Sequence, residues 1–115
     1  RGAVGFGNWI YTALFSTGNL YRNVQDFVRV SINTGGTDET QHKGRKPPEL
    51  LAWLLDTFTA PGDTVIDPFL GSGTTLLAAE AAGRTCLGGE INPDYCSEII
   101  SRWENLTSLR AERIG

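Results

Sequence analysis

Asp67-Pro68-Phe69-Leu70-Gly71-Ser72-Gly73-Thr74-Thr75 constrains this chain more than any other stretch. An apolar run, Thr64-Val65-Ile66, leads into it, and an alanine-rich segment, Thr74 to Ala82, leaves it. The first reads as a short buried strand and the second as a helix, with Gly83 suited to its left-handed terminus. Strand, glycine turn and helix in that order bring backbone N–H groups and a helix N-terminus up to a small ligand. A second strand, Thr85 to Glu90, ends on an acid about twenty residues beyond the turn, where a carboxylate can accept hydrogen bonds from ribose hydroxyls. An adenosine-containing cofactor fits this pattern.

The flanking sequence frames that unit. Trp9 to Phe15 and Val24 to Ile32 read as strands, and the polar, glycine-bearing stretch from Asn33 to Lys46 reads as a loop. Pro47-Pro48 suits a helix start, because a first-turn proline loses no intrahelical hydrogen bond. Leu50, Leu51, Leu54, Leu55 and Phe58 then form a stripe at helical spacing, and Ala60-Pro61-Gly62-Asp63 forms a turn. Pro93 opens a last helix with Tyr95, Ile99, Ile100, Trp103 and Leu106 on one face, and the tail from Thr107 is expected to fray.

The implied fold class is α/β, a single partial domain with an N-terminal strand pair. The strand pair and its loop occupy residues 1–41, a cofactor-binding βαβ unit occupies 42–106, and 107–115 is the tail. A right-handed crossover implies parallel strands covered on both faces. Ligands of such sheets bind at the carboxyl ends of the strands, where Asp67 and Glu90 are both expected.

Bulk properties narrow the function classes. With net charge −3 over 115 residues, whole-chain electrostatics give no support for nucleic-acid binding, which must then use a local patch such as His42-Lys43-Gly44-Arg45-Lys46. No apolar run approaches the ~18 residues of a membrane span, and no secretion signal is read at the N-terminus. Cys86 and Cys96 lack metal-ligand spacing and read as reduced thiols of a cytoplasmic protein, and a lone histidine, His42, leaves no donor set for zinc. Because the chain begins with Arg1 rather than Met, it is expected to be an excerpt of a longer reading frame.

Several readings of the glycine turn compete. A phosphate-cradling P-loop needs a lysine after its final glycine, and here Thr74 stands there. A dinucleotide fingerprint needs a third glycine where Leu76 is found, and Asp67 would push its carboxylate toward a pyrophosphate. A purely structural tight turn capped by Thr74 leaves so particular a residue combination without a reason. A carboxylate at the first strand's end suits a cofactor with a cationic end. S-adenosylmethionine carries an amino group, a sulfonium and a ribose diol, which accounts for Asp67 and Glu90 together.

With these residues in view, the chain resembles the DNA amino-methyltransferases that modify N6 of adenine or N4 of cytosine, in the β-class order with cofactor motifs last. Their turn reads Asp-Pro-Phe-x-Gly-Ser-Gly-Thr, matched by Asp67 through Thr74 at every specified position. Their His-Pro-Thr-Gln-Lys-Pro motif and leucine-rich helix resemble His42 to Pro47 and Leu50 to Leu55, with a departure at Lys43-Gly44. Gly89 to Tyr95, continuing through Arg102-Trp103, looks like the family's acidic-strand motif and following helix. The resemblance implies a Rossmann-like S-adenosylmethionine-dependent methyltransferase sheet. It also implies that Asp67, Phe69, Gly71, Ser72, Gly73 and Thr74 line the methionine and ribose side of the pocket. Glu90 would hold the ribose hydroxyls, Ile91 and Asn92 would flank the adenine, and Lys46 would lie near the cofactor carboxylate.

The family's catalytic Asp-Pro-Pro-Tyr motif does not occur in these residues. Asn92-Pro93-Asp94-Tyr95 looks superficially like it, but follows the ribose acid directly and is better read as a helix start. The resemblance therefore implies the cofactor portion of a methyltransferase, inactive alone, whose DNA contacts come from other regions or a partner. Omission of the strand that carries the catalytic motif is expected to invite sheet completion by a second copy or a complementary piece. A non-catalytic cofactor- or partner-binding module is the alternative from another class. An RNA or small-molecule methyltransferase, or a nucleotide-dependent oxidoreductase, is a third.

Overall fold

The computed structural model describes residues 46–115; the expected strand pair, its loop and His42 lie outside the described residues. In chain order the elements are α1 (Pro48–Phe58), β1 (Thr64–Asp67), α2 (Thr74–Ala81), β2 (Thr85–Gly88) and α3 (Pro93–Thr107). The order matches the sequence expectation, helix first and then a βαβ unit with a closing helix.

Local chemistry sets the boundaries. Pro47 is the extended N-cap of α1 and Pro48 its first residue. At the other end the Thr59 N–H and hydroxyl both donate to the Leu55 carbonyl, at 2.9 and 2.6 Å. α2 closes in a Schellman arrangement around Gly83 (φ 71°): Gly83 N–H donates to Glu80 C=O and Arg84 N–H to Ala79 C=O, at 3.1 and 2.8 Å. α3 begins at Asn92, whose side-chain oxygen accepts the Asp94 N–H at 2.9 Å, with Pro93 in the first turn.

β1 and β2 pair in parallel, with Thr64, Val65, Ile66 and Asp67 opposite Thr85, Cys86, Leu87 and Gly88. α2 is the central helix, packing against α1, α3 and β2. Its alanines let the neighbours approach closely, and Ala79 is completely buried. The rest of the core comes from Leu50, Leu51 and Leu55 on α1 and from Ile99 on α3.

The expectation that both sheet faces are covered, and that β1 is buried, is corrected. Val65 and Cys86 are half-buried, whereas Ile66 and Leu87, side by side on the opposite face, are 72% and 56% exposed. Among the described residues α1 and α3 both pack on α2, the crossover helix that lies against β2. β2 also stops at Gly88 rather than Glu90, because the chain turns as soon as Gly89 N–H has reached the Asp67 carbonyl. On α3 the expected stripe is narrower, since Ile100 and Leu106 are exposed. α3 ends at Thr107, and residues 108–115 beyond it are exposed and irregular. Ser108 caps α3 in the left-handed region (φ 59°), and Glu104 Oε1 accepts the Ala111 N–H at 2.9 Å.

Arg84 was not singled out by sequence. It is buried between the end of α1 and the start of β2, donating to Thr59 Oγ1 (3.0 Å), Thr59 C=O (3.1 Å), Leu55 C=O (3.4 Å) and Ala82 C=O (2.6 Å). Asp56 lies 3.6 Å away as its counter-charge. One guanidinium thus satisfies the carbonyls that end α1, which a lysine's single nitrogen cannot span. Replacing Arg84 by Met is expected to lower the unfolding free energy by about 2–4 kcal/mol. Removing the exposed Arg110 should cost under about 1 kcal/mol, both read from urea midpoints at constant slope.

Candidate functional site

β1 and β2 end side by side, so the segments leaving them start from one edge of the sheet. The main chain laces these segments together. Gly89 N–H donates to Asp67 C=O at 3.0 Å, and Leu70 N–H donates to Gly89 C=O at 2.9 Å. The acid beyond β2 then reaches the glycine turn: Gly71 N–H donates to Glu90 Oε2 at 2.8 Å, while Oε1 accepts the Asn92 N–H at 2.8 Å. Asp67, the turn and Glu90 therefore share one edge, as the motif spacing predicts.

Glu90 is half-buried. Its carboxyl is held below the usual glutamate range, first by the Asn92 N–H and further by those of Gly71 and Ile91, against an opposing push from burial. N–H groups aimed at an anion favour the charged form. A carboxylate offers about four lone-pair sites, so after these two bonds it can still accept from two vicinal hydroxyls. Asp67 Oδ1 accepts the Phe69 N–H at 3.0 Å, and among the described residues its other oxygen takes no hydrogen bond.

The glycines have physical reasons. Gly73, the N-cap of α2, lies at φ 83°, and a Cβ there would meet Ile99 Cγ1 at 2.7 Å. Both the backbone conformation and the approach of α3 demand glycine. Thr74 does not cap the helix as the tight-turn reading supposed. It is buried, and its Oγ1 has no hydrogen-bond partner among the described residues. Ser72 is also buried, with its carbonyl accepting from Arg102 Nη1 on α3.

Two large apolar side chains stand in solvent beside the acids, Phe69 at 85% and Ile91 at 97% exposure. Asn92, expected beside the adenine, directs its side chain to the α3 cap, leaving its backbone N–H on Glu90. Lys46 is exposed just before α1, and among the described residues no hydrogen bond or ion pair joins it to Asp67 or Glu90. Cys86 and Cys96 carry free thiols; burial, and then the Asp67 charge, push the Cys86 thiol up. Among the described residues no cluster of His, Cys, Asp and Glu could hold a metal ion, and no helix is long and apolar enough to cross a membrane.

Sequence reasoning missed the role of Gly88 and the use made of Gly89. A Cβ on Gly88 would overlap the Leu70 side chain, and one on Gly89 would come within 3.1 Å of the Pro68 carbonyl. The signal was present: paired glycines at a strand end mark close approach of another segment. Arg84 and Arg102 carried no comparable signal, because nothing local distinguishes a buried arginine from a solvated one.

A family described as DNA methylase matches residues 9–101, most of the chain. The chain belongs to the DNA amino-methyltransferase family. Among its relatives, the DNA adenine methyltransferase YhdJ of Escherichia coli K12 is 39% identical over 94 residues, which are 81% of this chain and 31% of YhdJ. The type II methyltransferase M.HindIII of Haemophilus influenzae is 40% identical over 80 residues, 70% of this chain and 25% of that protein. In structure, this methyltransferase chain is similar to TTHA0409 of Thermus thermophilus, crystallised with S-adenosyl-L-methionine. That match has a TM-score of 0.50 at 43% identity, covering 52% of this chain and 25% of that one. The M1.HpyAVI–SAM complex matches with a TM-score of 0.53 at 36% identity over 56% of this chain and 32% of that one. The chain spans a third or less of each of these relatives.

Two outcomes test this geometry. Because its folded value is lowered, Glu90 contributes stability in full above the ordinary glutamate value, and the contribution fades as pH falls through the lowered one. Glu90→Gln should flatten that acidic stretch of the thermal-stability profile and leave the neutral-to-basic part parallel to the unsubstituted protein. Gly73→Ala is expected to cost about 2–4 kcal/mol from left-handed strain plus the Ile99 clash. A double-mutant cycle with Ile99→Ala should show coupling of about 1 kcal/mol or more.

Proposed function

We propose that this chain is the S-adenosylmethionine-binding portion of a DNA methyltransferase that modifies the exocyclic amine of adenine or cytosine. The observation that carries the reading is the acid pair at one sheet edge, Asp67 ending β1 and Glu90 two residues past β2, with the glycine turn tied to Glu90 by the Gly71–Glu90 hydrogen bond. Family membership and relatives crystallised with this cofactor support it.

The residues present fit the group. Glu90 keeps lone pairs for a sugar diol, and Asp67 keeps an oxygen for a cationic amine. The buried Thr74 hydroxyl has no partner among the described residues, and such groups mark where a ligand or water completes the structure. Exposed Phe69 and Ile91 offer apolar surface to a flat ring. When bound, the cofactor supplies an electrophilic methyl group on a sulfonium. These residues bind and orient it, and Gly71 and Gly73 let the backbone come close.

The remaining work of the reaction falls to other parts of the protein. Transfer to an exocyclic amine needs the base out of its stack and acceptors for the amine's protons, and no Asp-Pro-Pro-Tyr motif lies in this sequence. We assign this chain cofactor alignment, which shortens the search for a reactive geometry. DNA recognition and proton acceptance lie with regions or partners beyond it.

Calorimetry separates this reading from a nucleotide-dependent oxidoreductase. The protein should bind S-adenosylhomocysteine and not NAD, and Asp67→Ala and Glu90→Ala should each weaken that binding by about tenfold or more. Unchanged affinity in both variants would remove the site from consideration.

A further inference from the structure

The turn between β1 and α2 is fastened on two sides. Toward the sheet it is held by Gly89 and Glu90, through Leu70 and Gly71. Toward α3 it is held by two side chains three residues apart, a spacing that places them on neighbouring positions of one helix face. Ile99 fills the space over Gly73, and Arg102 Nη1 donates to the carbonyl of buried Ser72. The first main-chain bond entering α2 runs from Leu77 N–H to Gly73 C=O, so the Ser72 carbonyl lies outside the helix it precedes.

We infer that Arg102 is a positioning residue for cofactor binding, acting through the Ser72 carbonyl to hold the Gly71–Thr74 backbone against Glu90. The inference deepens the functional reading above and rests on it. Glycine has more conformational freedom to lose than any other residue, and this turn carries two, Gly71 and Gly73. A ligand that must order it binds more weakly than one that finds it ordered. A guanidinium on a helix is a rigid, permanently charged donor, able to fix that backbone without touching the ligand.

The test uses the complete methyltransferase that carries this chain and titrates it with S-adenosylhomocysteine. Arg102→Met should raise the dissociation constant by about tenfold or more, the range for losing a hydrogen bond to a charged group. Arg102→Lys, which keeps the charge and a donor nitrogen, should recover most of that loss. Arg110→Met, which removes an exposed charge elsewhere, should change nothing. Turnover at saturating cofactor should stay within about twofold while KM for the cofactor rises, a split that general loosening of the fold does not produce. The inference is overturned if Arg102→Met binds as the unsubstituted protein does, or if its affinity for DNA and its thermal midpoint fall in step with its cofactor affinity. Should Arg102→Met not fold, Arg102→Gln decides: a loss of about threefold or more with DNA affinity retained supports the inference, and unchanged cofactor affinity overturns it. Failure of the unsubstituted protein to bind S-adenosylhomocysteine would overturn the parent reading as well. Normal binding that is lost in Asp67→Ala but kept in Arg102→Met would overturn this inference alone.

Discussion

The hydrogen bond from Gly71 N–H to the Glu90 carboxylate is the contact on which the rest of this site depends. It joins the turn that follows one strand to the acid that follows the next. Parallel pairing makes the bond possible, because it brings Asp67 level with Gly88 and starts both segments from one edge. Glu90 is thereby anchored, with its charge favoured by the donors around it.

The two ends of the sheet are closed by different chemistry. At the carboxyl end, main-chain bonds and small residues let the segments pack closely, with Gly88 and Gly89 yielding space to Leu70 and Pro68. At the amino end, Arg84 gathers the carbonyls that end α1 and pins that helix to the start of β2. Binding chemistry concentrates where backbone donors and lone pairs remain available. Stability concentrates where they have been used.

Much of this was legible beforehand. The proline starts of α1 and α3, the glycine end of α2 and the placement of Asp67 and Glu90 all follow from local rules about backbone donors and φ angles. The misjudged features share a cause. Ile66 and Leu87 look like buried strand residues because their type says so, yet exposure depends on what covers them. Here α2 packs on β2, and Ile66 and Leu87 remain exposed.

The amino-acid sequence by itself determined the order of elements, the glycine turn, the two acids at the strand ends and membership of the methyltransferase family. Each of these is carried by residue identity at short range. Only the tertiary structure decided that Glu90 is tied to Gly71, that Gly73 must be bare because Ile99 lies over it, and that Arg84 and Arg102 are spent on carbonyls far away in the chain. The physical reason is that a side chain's partner across a long chain separation is set by how whole elements pack, and no local pattern records which carbonyl will face an arginine once they do.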